Sequence, residues 1–228
     1  MELWIEGSIE QVKAVAGSGL AAAVATNPSI IASWTRDGRT LEAVVTEVCQ
    51  SVDVPVYVQL HGLTVDDFLY EMDVLRRISS QIHPKLVATH EGIAATKRLA
   101  RDGLKPLVTT VSTVNQAFMS AAAGAAYVAP YVARIIDAGT DAFRLIEDIA
   151  ALYARNNIST QIAAASIRTP EQAEKSLLAG APIVVMQHDV FLRLFDSEMT
   201  QDWIDRFEAD WEQFTFEGKA DRKVAAET

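Results

Sequence analysis

Short apolar runs alternate with amphipathic segments along most of the chain. The runs cover residues 3–6, 20–26, 54–60, a stretch from Ile82, 106–111, 126–131, 160–166 and 183–187. They are rich in Val, Ile and Ala and mostly lack the strict alternation of a half-exposed strand. That pattern predicts parallel strands covered on both faces. The segments between them carry helix signals. Ser8 is placed to cap a helix that Gly17 and Gly19 end, and Asn27-Pro28-Ser29 turns the chain into 30–33 and then a helix at 41–51. Thr64-Val65-Asp66-Asp67 opens a helix to about Ser80, and further helices follow at 91–103, 114–123 and 141–157. Thr169-Pro170-Glu171 puts proline at the first helical position, Gly180 ends that helix, and a last one begins near His188-Asp189.

Strand and helix therefore repeat eight times in about 190 residues, which predicts an α/β chain folded as a (β/α)8 TIM barrel, a little below the usual size of about 250. A doubly wound sheet is the competitor. It lacks support, because no Gly-x-Gly-x-x-Gly follows the first strand, and Ala16-Gly17-Ser18-Gly19 precedes a strand instead of following one. Residues 1–199 are assigned to the barrel. An additional C-terminal helix is expected at 200–216, with Trp203, Phe207, Trp211 and Phe214 along one face. Two readings of that face are open: packing on its own barrel, or docking on a neighbouring subunit. Residues 217–228 read as a disordered tail.

Charge and composition narrow the partners. A formal net charge of −10 argues against nucleic acid and gives no reason to expect a membrane surface. The single cysteine, Cys49, excludes a disulfide framework within the chain. The acidic, strand-like start Met1-Glu2-Leu3-Trp4-Ile5-Glu6 lacks a targeting pattern, and no apolar run is long enough to span a bilayer. A cytoplasmic protein is the expectation.

One residue stands out against this background. Lys13, Lys97 and Lys175 fall on helices, Lys105 precedes a strand, and Lys219 and Lys223 lie in the polar tail; Lys85 sits inside an apolar strand. A buried, unpaired lysine is rare and costly, and burial favours the neutral amine that attacks carbonyls. The alternative is a strand-end lysine whose ammonium reaches water or pairs with Glu91.

In such barrels chemistry is built at the C-terminal ends of the strands. Polar residues expected there include Glu6, Thr26, Asn27, Gln59, Thr109 and Tyr131. Period two turns Gln59, Thr109, Tyr131 and Ser166 inward while Val58, Val108, Pro130 and Ala165 pack outward; if Lys85 points in, so do Val87 and Thr89. An amine ringed by an amide, hydroxyls and a phenol suits carbonyl chemistry. Arg134 and Arg168, after the sixth and seventh strands, are candidates for an anion-binding corner, or are solvated surface arginines. His61, His90 and His188 follow strand ends without ligand spacing, so no metal site is expected.

Three longer motifs carry a family resemblance. Ala25-Thr26-Asn27-Pro28-Ser29-Ile30-Ile31, Lys85 followed by Thr89-x-Glu91-Gly92, and Ala123-Gly124-Ala125-x-Tyr127-Val128-Ala129-Pro130-Tyr131-Val132-x-Arg134 resemble the small-subunit transaldolases, and within them the fructose-6-phosphate aldolases. Ala164-Ala165-Ser166-x-Arg168-Thr169-Pro170 and Leu178-Ala179-Gly180 extend the likeness, which runs to about Phe214. The resemblance implies that Lys85 forms a Schiff base without a cofactor. It implies that Asn27 binds the hydroxyl end of the substrate and that Arg134 with Ser166 holds a distal phosphate. Gln59, Thr109 and Tyr131 would position a water and shuttle protons. Thr26 and Arg168 lie in the same motifs and join the expected substrate-binding set. The resemblance also implies rings of five, paired into decamers, with the terminal helix reaching a neighbour, which suits the aromatic face. Three positions depart from the pattern: Glu6 replaces an Asp, Ala25 a Thr, and Val87 a Pro. The implied substrates are a 6-phosphorylated ketose and an aldehyde acceptor. Arg134 would equally take a sulfonated sugar. The departures also leave open a non-catalytic sugar-phosphate-binding assembly.

Overall fold

A computed structural model describes residues 1–212. Eight parallel strands close into a barrel in chain order: β1 (Glu2–Glu6), β2 (Ala21–Ala25), β3 (Val56–Gln59), β4 (Ile82–Val87), β5 (Leu107–Val111), β6 (Tyr127–Pro130), β7 (Gln161–Ile167) and β8 (Ile183–Gln187), with β8 pairing back to β1. The (β/α)8 architecture expected from the apolar runs is the one observed. The helices are α1 (Ile9–Gly17), α2 (Pro28–Trp34), α3 (Leu41–Ser51), α4 (Val65–Arg76), α5 (His90–Arg101), α6 (Val114–Ala122), α7 (Val132–Asp137), α8 (Ala142–Arg155), α9 (Pro170–Leu178), α10 (His188–Arg193) and α11 (Glu198–Trp211). Most open on a hydroxyl or Asx cap of the kind the sequence marks. Ser8, Thr40, Thr64, Thr89, Thr113 and Thr169 each accept a hydrogen bond from a first-turn amide.

Two layers of side chains form the core. Ile5, Val24, Val58, Leu86 and Val108 face outward into the helices. Inside, Trp4 stacks on Tyr57 with ring centroids 4.6 Å apart and meets Tyr127 edge-on at 4.8 Å. Ala23 on β2 and Ala163 on β7, each next to a strand that carries one of these rings, leave the width the rings need. The aromatic plug fills the middle of the barrel, and a cavity opens above it at the C-terminal strand ends.

Two strands break the expected alternation. Between β5 and β6 the register passes from Thr109↔Ala129 to Val111↔Pro130, and between β7 and β8 from Ala164↔Val184 to Ile167↔Met186. Each strand spends one extra residue, and Thr110 (φ 61) and Ser166 (φ 57) adopt left-handed backbone there. Contrary to expectation Ala165 packs with the inner layer, in regular alternation with inward Ala163 and outward Ala164, and the extra residue at Ser166 follows it. On β4 the inward set stops at Lys85. Val87 packs against the outer layer, and Thr89 leaves the strand to cap α5. The short helices α2 and α7 were not expected; each is under two turns and carries too little period to be read from pattern.

The chain divides after Leu194, a little before the expected boundary at 199. In the second unit, helix α11 starts at Glu198 behind the Ser197 cap, and Trp203 and Phe207 are exposed. Phe214 and the expected tail at 217–228 lie outside the described residues.

Candidate active site

Lys85 owes its position to β4. The strand is apolar on both faces, and its register sets Lys85 opposite Gln59 on β3 and Leu107 on β5. Only 2% of the residue is exposed. Its Nζ donates to the Thr26 carbonyl at 2.7 Å and lies 5.7 Å from the centre of the Tyr131 ring. Glu91 contacts His90 instead, Oε1 lying 3.2 Å from the ring Nδ1, so the Lys85–Glu91 alternative is not what forms. The amine is held inside the barrel by one carbonyl, with no carboxylate in ion-pair range among the described residues.

The carboxylate expected near it, Glu6, ends β1 and is 9% exposed. Burial raises its pKa above the ordinary 4.5, against the opposing pull of Lys85, a hydrogen bond from Asn27 and the charge of Arg134. That bond is long, 3.4 Å from Asn27 Nδ2 to Glu6 Oε2. Asn27 is the cap of α2, its Oδ1 accepting from the Ile30 amide at 3.0 Å. Both ends of the amide are thus oriented, and one Nδ2 hydrogen is left for a ligand.

Gln59 and Thr109 stand on the strands either side of β4. Gln59 Oε1 and Thr109 Oγ1 are buried with no hydrogen-bond partner among the described residues. A buried polar atom left so costs about 1–3 kcal/mol, which marks both as groups awaiting a ligand or a solvent molecule. Thr26 behaves differently. It is fully buried, its hydroxyl donating to the Tyr57 carbonyl at 3.1 Å and accepting from the Gln59 amide at 3.0 Å. Its side chain is spent on joining β2 to β3 and does not reach the cavity, contrary to expectation. Its carbonyl is what meets Lys85.

The cavity above the plug has a volume of about 610 Å³ and is lined by Glu6, Asn27, Lys85, Tyr131, Arg134 and Ser166, among others. Tyr131 stands between two basic side chains, since the Arg134 guanidinium lies 5.2 Å from the same ring that Lys85 faces. Arg134 sits on α7, the one-and-a-half turns that follow β6 directly, and this brings it to the rim. Ser166 reaches the cavity through the β7 bulge. Arg168 also lines it, but its guanidinium is bound to Asp137 at 2.8 Å and is half exposed. Arg134 has no such ion pair among the described residues. Ser29 and Ser33 on α2 and Asp189 on α10 also line the wall. Sequence reasoning passed over them; the Asn-Pro step, a cap followed by proline at the first helical position, was the signal for α2. His61 lies beside Glu71, away from the cavity lining, as does His90.

A buried amine, a buried carboxylic acid, a phenol and a lone guanidinium around a polar cavity are the parts for forming and breaking bonds next to a carbonyl on an anionic substrate. The comparisons agree. A family model described as Transaldolase/Fructose-6-phosphate aldolase matches residues 6–227. A probable transaldolase of Carboxydothermus hydrogenoformans is 37% identical over 213 residues, 93% of this chain and 98% of its own. Another from Desulforamulus reducens is 37% identical over 216 residues, covering 94% and 99%. One from Streptococcus pyogenes is 34% identical over 207, covering 91% and 95%. The chain belongs to the transaldolase/fructose-6-phosphate aldolase family.

Proposed function

We propose that this family member is a class I aldol enzyme that works through a Schiff base on Lys85. The observation that carries the reading is a single lysine, 2% exposed, held by one carbonyl at the base of the polar cavity. The amine adds to the C2 carbonyl of a ketose, and loss of water gives an iminium. Glu6, a carboxyl with a raised pKa beside Lys85, supplies and takes the protons of that step. The C4 hydroxyl then loses its proton to Tyr131, through a water held by Gln59 and Thr109. The C3–C4 pair moves into the iminium, leaving an enamine on Lys85 and a free aldehyde. Protonation at C3 and hydrolysis release dihydroxyacetone; attack of the enamine on a second aldehyde transfers the same three carbons. The unpartnered Gln59 Oε1 and Thr109 Oγ1 support this water, each needing one bond that a solvent molecule would make.

Asn27 holds the hydroxyl end of the donor and Arg134 with Ser166 the distal anion. A sulfonated ketose is the second reading of that anion. It is favoured by the pairing of Arg168 with Asp137, which leaves Arg134 alone to meet it. A sulfonate carries a single charge, whereas a phosphate monoester carries about −1.5 to −2 at neutral pH. Turnover of fructose 6-phosphate and of its 6-deoxy-6-sulfo analogue, measured in parallel, tests the choice, and the preferred ketose names the anion. Lack of turnover with both, combined with ligand-induced thermal stabilisation, would instead favour a sugar-phosphate-binding assembly. The assembly is a cytoplasmic homo-oligomer, a pentamer or decamer built through α11.

A further inference from the structure

Thr109 is one of the two groups given to the water above, and its hydroxyl faces inward unpaired. What holds it there is its neighbour. Thr110 lies at the β5 bulge with φ 61, and it is the one β-branched residue among the three non-glycine residues with positive φ in the described chain. β-Branched residues avoid this region, so something fixes Thr110 in it. Two bonds do. Thr110 Oγ1 donates to the Thr109 carbonyl at 2.6 Å and accepts from the Ala88 amide at 3.3 Å. The same amide donates to the Thr109 carbonyl at 3.0 Å. The Thr109 carbonyl is thus gripped from both sides, by its own strand and by the end of β4, three residues past Lys85. The extra residue also sends Val111 into the outer layer, where it is fully buried. Without the bulge Val111 would alternate to the inside and crowd the site.

We infer that Thr110 is a positioning residue: its hydroxyl locks the left-handed bulge that fixes the Thr109 carbonyl and so aims the Thr109 hydroxyl at the reacting proton. This rests on the aldol reading above. It assigns Thr110 to proton transfer in the C3–C4 step and not to imine formation, because Lys85 is held separately by the Thr26 carbonyl.

Two substitutions test it. Thr110→Gly suits the left-handed backbone and removes the hydroxyl, so folding is preserved. Thr110→Ser keeps the hydroxyl. Turnover of the preferred ketose and the yield of borohydride-trapped adduct on Lys85 are measured in both variants and in the wild-type protein. The expected result is a kcat lowered about tenfold or more in Thr110→Gly, with KM and adduct yield within about twofold, and near-wild-type kcat in Thr110→Ser. Wild-type kcat in Thr110→Gly overturns the inference. So does Thr110→Ser as impaired as Thr110→Gly, or adduct lost together with turnover, which would place the effect at the lysine or on the fold. A wild-type protein that forms no adduct overturns the aldol reading, and this inference falls with it.

Discussion

At the scale of single residues the site is a set of charges made tolerable by small numbers of bonds. Glu6 is the sharpest case. Burial raises its pKa above 4.5, so the native chain keeps that proton to higher pH than the unfolded chain does. Between the two values the native state binds more protons, and stability falls as pH rises through them. Above both, ionised Glu6 imposes its full burial cost. Glu6→Gln is therefore expected to raise Tm at about pH 8, with the gain shrinking as pH falls through the raised native value toward the ordinary Glu value. A gain independent of pH would mean that Glu6 is not buried as a charge. The same variant should lose turnover. Arg134→Ala should raise KM for the anionic ketose roughly ten- to hundredfold and leave that for dihydroxyacetone nearly unchanged, the measure of one lost charge-assisted contact. Equal effects on both substrates would remove Arg134 from the anion site. Lys85 was legible in the sequence because a lysine in an apolar strand contradicts its surroundings. The bonds that commit Thr26 and Arg168 were hidden for the opposite reason. Their partners, the Tyr57 carbonyl and Asp137, are far away in the chain, and no local pattern records that a hydroxyl or a guanidinium is already committed.

At the scale of elements, the strands were legible because each is a continuous apolar run, and most helices because a cap residue opens them. What escaped was local: α2 and α7, too short to repeat a period, and the bulges on β5 and β7, where one extra residue reverses which side chains face inward. Those bulges flank β6 on either side. The β7 bulge brings Ser166 to the cavity beside Tyr131, and the β5 bulge turns Val111 into the outer layer, so irregular parts of the barrel help to shape the site. The approach of α5 to β4 is a second such constraint. A Cβ on Gly92 would collide with the Val87 carbonyl, two residues beyond Lys85 along β4. Gly92→Ala is expected to cost about 1–3 kcal/mol in urea unfolding, since the helix must back away from the strand. A variant of unchanged stability would show that this helix end yields freely.

At the scale of the whole molecule, the chain reads as a barrel followed by a helix with aromatic side chains exposed along it. Trp203 and Phe207 are 49% and 68% exposed. Large aromatics in water are what a subunit contact removes. Ending the chain at Asp196 should lower the oligomeric mass in solution scattering or sedimentation while leaving the barrel folded; an unchanged mass would take α11 out of the assembly. A formal charge of −10 also makes the positive interior of the cavity, Lys85 and Arg134, the feature that an anionic ketose must find. The most direct test of the account is intact-protein mass spectrometry after borohydride reduction with fructose 6-phosphate, and in parallel with its 6-sulfonate analogue. The account predicts a three-carbon adduct with at least one of them, mapped to Lys85 and missing from Lys85→Met. No adduct with either sugar, or an adduct that persists in Lys85→Met, would contradict it.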